Sequence, residues 1–142
     1  MIVWIGKPLA LAIHDRQLAE HGGSGGVRDE GMLDSALARP QQRHAYGDPS
    51  PDLADLAASL AYGLARHHPF VDGNKRTAHV CYRAFIALND GELTATDEEK
   101  YVAMLGLAEG SLGEAEFAGW LRPRIVVRAR GNVQEVDPGY RA

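Results

Sequence analysis

Cysteine is almost absent from this sequence, since Cys81 is the only one among 142 residues. A single cysteine excludes an intrachain disulfide and a zinc site built from cysteines, and it is typical of proteins from a reducing compartment. The sequence also lacks any apolar run near the roughly 20 residues that span a bilayer, and its first residues show no secretory signal pattern. We therefore expect a cytoplasmic protein with no membrane partner.

The net charge of the chain is also small. The formal net charge of −4 argues mildly against binding to a phosphate backbone, and no helix-turn-helix pattern with basic recognition residues is evident. Nucleic acid is therefore disfavoured as a partner. One segment is locally basic and either contacts an acidic partner or is a solvated tail; it contains Arg122, Arg124, Arg128 and Arg130.

Several residues in the first third of the chain predict where its helices begin and end. The β-branched run Ile2–Ile5 predicts an N-terminal strand or an extended segment. Pro8 suits the first turn of a helix, which the glycine-rich loop at residues 21–26 ends. Asp29 is expected to cap a second helix, and Pro40 to end it, because the residue before a proline avoids helical geometry.

A long connection over residues 41–52 follows, and it is either a plain connector or a segment that docks a target. Pro51 is then expected to open the most regular amphipathic helix, which ends at His68, before Pro69. Its apolar stripe repeats about every 3.6 residues and consists of Leu53, Leu56, Ala57, Leu60 and Leu64.

A further helix is predicted from Asn74, with Gly91 as its C-terminal cap. Its inward face is expected to carry Ala78, Cys81, Tyr82, Phe85 and Leu88. Two capping-box spacings open later helices, Thr96 with Glu99 and Ser111 with Glu114. The predicted class is all-α. One compact helical domain with a short N-terminal strand occupies residues 1–122, and a C-terminal extension, residues 123–142, carries a short strand at Ile125–Val127 and then a polar tail.

The stretch HHPFVDGNKR, residues 67–76, lies between the two predicted core helices. The N-terminus of a helix presents unpaired N–H groups and partial positive charge, and Gly73 would allow a ligand to approach the backbone closely. Asn74, Lys75 and Arg76 add donors to the same turn. Cations there are otherwise unfavourable by roughly 0.3–1 kcal/mol each, so the pattern predicts a bound polyphosphate.

Two neighbouring side chains could perform the chemistry. His68 could act as a general base near neutral pH, and Asp72 could hold Mg²⁺ that bridges phosphate oxygens. Singly, such residues are more often structural, because an aspartate there is commonly a helix N-cap and a lone histidine a packing residue. Together they favour a phosphate-transfer site.

HPFVDGNKR resembles the H-x-F-x-[D/E]-G-N-x-R signature of the Fic/Doc superfamily, and Lys75 is the variant found in its death-on-curing (Doc) toxins. The segments AIHD, GGSGGVRDEGMLDSAL and AYGD also follow the order in that family, over roughly residues 2–122. The resemblance implies a compact helical Fic/Doc fold and transfer of a phosphate-containing group from ATP, with Mg²⁺, to a protein hydroxyl.

The resemblance also implies a role for each motif residue. His68, Asp72 and Arg76 would be catalytic, with His68 as the base and Asp72 as the metal ligand. Phe70 would be a buried anchor of the nucleotide-binding loop. Nucleotide phosphates would be contacted at the N-terminus of the helix, by Gly73, Asn74, Lys75 and Arg76.

Lys75 decides which group is transferred. AMP-transferring relatives usually have glycine there, whereas lysine is associated with an inverted nucleotide and protein kinase activity towards translation elongation factor Tu. We expect the kinase reaction; AMP transfer and an inactive binding adaptor are the alternatives. Gly73 departs from the Doc pattern, in which alanine occurs.

The resemblance further implies a regulatory partner. Self-restrained Fic proteins carry an inhibitory [S/T]-x-x-x-E-[G/N] helix. Here Glu30 and Glu109 precede glycine, but Gly26 and Leu105 occupy the Ser/Thr position. We therefore expect restraint by a cognate Phd-like antitoxin encoded by a neighbouring gene.

Overall fold

The computed structural model describes residues 1–128. It is mostly helical, with a small antiparallel sheet of two strands and a short 3₁₀-helix at Arg122–Arg124. The elements are α1 (Lys7–His21), α2 (Glu30–Tyr46), α3 (Leu53–Arg66), α4 (Asn74–Leu88), β1 (Gly91–Leu93), α5 (Asp97–Glu109), α6 (Glu114–Leu121) and β2 (Ile125–Val127). The predicted helical fold is confirmed, and none of the described helices has the length and apolar character of a bilayer crossing.

Helix α3 is the centre of the core and packs against α2, α4 and α6. Its stripe leucines Leu56, Leu60 and Leu64 are at most 2% exposed, and each contributes about 1.5–3 kcal/mol by burial. Small residues let α2 approach closely, because a Cβ on Gly63 would lie only 3.0 Å from the Cβ of Ala36. This packing fixes the C-terminal end of α3, where residues 67–73 begin.

Helix α4 packs beside α3 and carries the core face that the sequence predicts. Ala78, Cys81, Tyr82 and Phe85 are fully buried, whereas Leu88 is 42% exposed and lies outside the core. Gly91 does not cap α4, because it begins β1 and pairs with Val127. The helix ends at Leu88 with Asn89 as its C-cap, and Asp90 adopts a positive φ of 64°.

Of the two alternatives predicted for Ile2–Ile5, the strand is wrong, since these residues belong to no strand, and the extended segment is what the structure shows. A side chain takes the place of a strand partner. The Val3 N–H donates to Asn89 Oδ1 at 2.8 Å, and Asn89 Nδ2 donates to the Val3 carbonyl at 2.9 Å. Ile5 is buried and Trp4 stacks on Phe85, so this extended segment is held against the end of α4.

The prediction that Pro40 ends α2 is also wrong, because the helix continues to Tyr46. Proline removes one N–H bond from the helix, but the Pro40 ring is buried and its packing offsets that loss. Beyond the proline, Arg43 is held by an ion pair to Glu114 at 3.1 Å. The connection to α3 therefore shrinks to residues 47–52.

The capping predictions have mixed outcomes. The Asp29 cap and the Thr96–Glu99 box are confirmed, but α3 begins at Leu53 behind an Asp52–Asp55 box rather than at Pro51. The Ser111–Glu114 box does not form. The Ser111 hydroxyl donates instead to the Gly106 carbonyl. Glu116, rather than Glu114, accepts from the Gly113 N–H where α6 begins.

The predicted strand at Ile125–Val127 is confirmed as β2, which pairs with β1. Three of the four nearby arginines have partners within the chain. Arg122 pairs with Asp52 and Asp55, Arg124 lies over the Trp120 ring, and Arg128 pairs with Glu92. Arg130 and the predicted tail beyond it lie outside the described residues, and the domain division at residue 122 stays a prediction.

Candidate active site

Residues 67–73, which we call the motif loop, join the end of α3 to the start of α4. Helix α3 stops at Arg66, and His67 caps it with an N–H bond to the Gly63 carbonyl. His68 has a positive φ of 50° and an exposed side chain. Among residues 1–128 its ring has no hydrogen-bond partner, so it is free to accept a proton from a bound hydroxyl.

The neighbouring histidine faces other groups. His67 is half-buried, and its ring meets the Tyr62 ring edge-on at 5.7 Å. Burial, followed by the charges of Arg39 and Arg66, lowers the pKa of His67. His68 is therefore the histidine of the pair that is open to solvent.

The motif loop is closed by one side chain. The Phe70 N–H donates to Asn74 Oδ1, and Asn74 Nδ2 donates to the Phe70 carbonyl, both at 2.9 Å. Phe70 itself is 1% exposed. The side-chain amide of Asn74 is thus occupied within the loop, which leaves its backbone N–H as the group available to a phosphate.

Gly73 is the N-cap residue of α4, and its φ of 77° lies in the left-handed region that favours glycine. Asp72 is not the N-cap, and no described side chain caps this helix. The Asp72 carboxylate instead accepts from the Gly73 N–H at 2.8 Å and the Ser24 N–H at 3.2 Å. These two bonds lower the pKa of Asp72, and the bond from Gly73 has the larger effect, so the carboxylate is ionised at neutral pH. The Asp72 side chain is also exposed to solvent.

The residues present fit a Mg²⁺ ion that is shared with a nucleotide. Mg²⁺ in phosphate-transfer sites is commonly held by one or two carboxylates together with substrate phosphates. Asp72 supplies one ionised carboxylate beside the helix N-terminus. No cage of three or more His, Cys, Asp or Glu side chains occurs within residues 1–128, so Asp72 is the protein ligand that this site offers.

A cavity of about 390 Å³, which we call the basic pocket, runs from this N-terminus along α4. Lys75, Arg76, His79 and Arg83 of α4 line it, together with Tyr101 and Met104 of α5 and with Gln17, Glu20 and His21 of α1. Arg76 donates through Nη2 to the Gly22 carbonyl at 3.2 Å, but its buried Nε has no described partner. That donor is available to an anion.

His79 adds a neutral ring to the basic pocket. Burial, followed by the charge of Arg83, lowers the pKa of His79 to about 4. Its Nδ1 atom is buried and unpaired among the described residues. The lining of the basic pocket therefore contains three cationic side chains, Lys75, Arg76 and Arg83, and one acidic side chain, Glu20.

The α1–α2 connection, residues 22–29, packs against the motif loop, and no sequence pattern had predicted this contact. The N–H groups of Arg28 and Asp29 both donate to the Pro69 carbonyl, at 2.8 and 3.1 Å. The Val71 N–H donates to the Gly26 carbonyl, and Val27 forms an isolated bridge with Phe70. The glycine run in this segment was a visible signal, but a run of glycines alone predicts only a loop.

Comparison with known proteins gives consistent results. Residues 4–86 match the model of the Fic/DOC family. The chain is 51% identical over 75 residues to Toxin Doc of Mycolicibacterium smegmatis, a match that covers 52% of this chain and 57% of that protein. It is 31% identical over 112 residues to Protein kinase doc of Escherichia phage P1, covering 79% and 87% of the two chains.

Proposed function

The chain belongs to the Fic/DOC family, and on that premise we propose that it is a Doc-type toxin that transfers the γ-phosphate of ATP to a protein hydroxyl. Relatives named as a Doc toxin and as a Doc protein kinase support the toxin class and a transferase activity. The observation that carries the proposal is the basic pocket. Its lining starts in the first turn of α4 with Lys75 and Arg76, which closely follow the exposed His68 and Asp72 in sequence, and the buried Arg76 Nε has no partner among residues 1–128.

Each group has a role that its position supports. His68 removes the proton from the target hydroxyl, whose oxygen bonds to the γ-phosphorus as the bond to the departing ADP breaks. Lys75, Arg76 and the N–H groups of α4 stabilise the negative charge that develops on the phosphate oxygens. Asp72 holds Mg²⁺, which when bound supplies further charge neutralisation at the phosphates.

We propose elongation factor Tu as the protein substrate and the cytoplasm as the place of action. A cognate Phd-like antitoxin would restrain the enzyme, as the Toxin Doc name of one relative suggests. Tyr46, which is 86% exposed at the end of α2, would help to dock the target.

AMP transfer is the second candidate, and Gly73 is the observation in its favour. AMP-transferring relatives have glycine at this position, and here the φ of 77° suits glycine better than alanine. Lys75 opposes this reading because it adds bulk and charge where the α-phosphate would have to approach His68.

The test is intact mass spectrometry of elongation factor Tu after incubation with the protein, ATP and Mg²⁺, beside the His68→Ala variant. Addition of one phosphoryl group that requires His68 is the expected result. Addition of AMP would establish the second candidate and would show that Lys75 does not invert the nucleotide. An unmodified factor would refute it as the target.

A further inference from the structure

We infer that two side chains outside the motif, Arg28 and His14, position separate halves of the motif loop. Arg28 holds the half that carries the base, His68, and His14 holds the half that carries Asp72. The inference rests on the proposed function, because it assigns residues that support the same site.

Arg28 reaches the motif loop from the α1–α2 connection and binds two consecutive carbonyls. Its Nε donates to the His68 carbonyl at 2.6 Å and its Nη2 to the His67 carbonyl at 3.0 Å. Carbonyls just beyond the end of a helix lack intrahelical partners and carry partial negative charge. The guanidinium therefore caps α3 at the point where the chain turns into the motif loop.

The capped residues include one with an unfavourable backbone. His68 has a φ of 50°, in a region that side chains other than glycine rarely adopt. The backbone of Arg28 is itself fixed, because its N–H donates to the Pro69 carbonyl. The planar guanidinium of arginine can donate to both carbonyls at once, whereas a lysine ammonium is a single point charge on a flexible side chain.

His14 reaches the other half of the motif loop from the middle of α1. It is 2% exposed, and its ring stacks on Phe70 with centroids 3.8 Å apart and planes 8° from parallel. Its Nε2 lies 2.8 Å from the Asp72 carbonyl oxygen. Since a carbonyl only accepts, Nε2 carries a proton, and a neutral His14 is the Nε2–H tautomer.

This contact fixes the peptide from Asp72 to Gly73. The N–H of that peptide binds Asp72 Oδ1 at 2.8 Å, so the orientation of the peptide sets the orientation of the carboxylate. The same peptide begins α4, and an added Cβ on Gly73 would lie only 3.7 Å from His14 Nε2. His14 thus supports both the metal ligand and the start of the phosphate-binding turn.

The two supports touch different atoms of the loop, so their removal should have different effects. The contacts of Arg28 end at Pro69, and those of His14 begin at Phe70. Displacing His68 alters turnover, whereas displacing Asp72 alters binding of the Mg²⁺ nucleotide. A purely structural role for either residue would not separate these quantities.

The first experiment needs neither nucleotide nor target. Long-range ¹H–¹⁵N spectra of the whole protein should show His14 with its proton on Nε2. In backbone spectra, Arg28→Lys should shift the His68 amide but not that of Gly73, and His14→Phe should do the reverse. A His14 proton on Nδ1 alone, or variants that shift both amides or neither, would overturn the inference.

The second experiment measures transfer and nucleotide binding. We expect Arg28→Lys to lower kcat about 10- to 100-fold with KM for Mg²⁺–ATP unchanged, and His14→Phe to raise that KM by a similar factor. His14→Gln, whose amide nitrogen can replace Nε2, should recover much of the affinity. Arg128→Lys is the matched control, because Arg128 pairs with Glu92 beside the two-stranded sheet and should change neither quantity.

Thermal unfolding of each variant shows whether it folds. Equal losses of kcat in both folded variants, or no loss in either, would overturn the separate positioning of the two halves. A wild-type protein that binds no nucleotide would refute the proposed function instead, and the tautomer and amide shifts would still decide the roles of Arg28 and His14.

Discussion

Replacing Gly23 with alanine tests whether the α1–α2 connection fixes the Asp72 carboxylate. Gly23 has a φ of 125°, and a Cβ added there would lie 2.7 Å from Asp72 Oδ2 and 3.0 Å from Leu18 Cδ2. Real Cβ atoms essentially never come within 3.0 Å of a non-bonded heavy atom, so the carboxylate or the backbone beside it must move. Movement of the carboxylate would break its bond to the Ser24 N–H and turn the proposed metal ligand away from the N-terminus of α4.

We expect this change to weaken Mg²⁺-dependent nucleotide binding by about 10- to 100-fold, the usual effect of losing a group that orients a metal ligand. Gly110→Ala is the matched control. Gly110 has a φ of 95° at the end of α5, and the nearest atoms to its added Cβ belong to Arg66, at 3.7 Å. Each variant places alanine at a positive φ, at a cost of about 1–3 kcal/mol in the free energy of unfolding.

The assay is calorimetric titration of ATP with and without Mg²⁺, together with urea unfolding of both variants. Similar losses of stability but a selective loss of Mg²⁺-dependent binding in Gly23→Ala are expected. If Gly110→Ala weakens that binding as much, loss of stability rather than contact with Asp72 is responsible. Wild-type binding by Gly23→Ala would refute the reasoning outright.

Three further predictions concern the core and surface of the protein. Asn74→Ala and Asn89→Ala each remove an amide that bridges backbone groups, so urea titration should show about 1–3 kcal/mol lost in both, but only Asn74→Ala should impair nucleotide binding. Hydrogen bonding to Arg122 lowers the pKa of Asp52 to about 2, so its stabilisation is complete above its ordinary pKa of 3.8 and lost as pH falls through 2. Arg122→Leu should therefore cost up to about 1 kcal/mol at neutral pH and clearly less near pH 2, where Asp52 is about half protonated, and an equal cost at both pH values would contradict this. Burial raises the pKa of Cys81 to about 12, so iodoacetamide should label it only after unfolding, as mass spectrometry of native and urea-treated samples would show.

Local patterns predicted those parts of the fold that depend on near neighbours in the chain. The stripe of α3 lies in the core, and the helix after the motif loop begins at Asn74 as the sequence indicates. The Asp29 cap formed for the same reason, since a cap needs only residues three positions apart.

Predictions failed where a distant partner outweighed the local preference. Burial of the Pro40 ring carries α2 past a proline that would end an isolated helix. The Asn89 side chain binds Val3, 86 positions away, and replaces the strand partner that the apolar run suggested. Neither partner is visible in a window of neighbouring residues.

The sequence by itself determined the helical class and the set of candidate reactive groups, because His68, Asp72, Lys75 and Arg76 lie within nine positions of one another and flank a helix start. Tertiary structure decided how those groups are held. His14 contacts Asp72 across 58 positions, and Arg28 contacts His68 across 40. Such contacts exist only after α1 and the α1–α2 connection pack against the motif loop, so no local pattern could specify them.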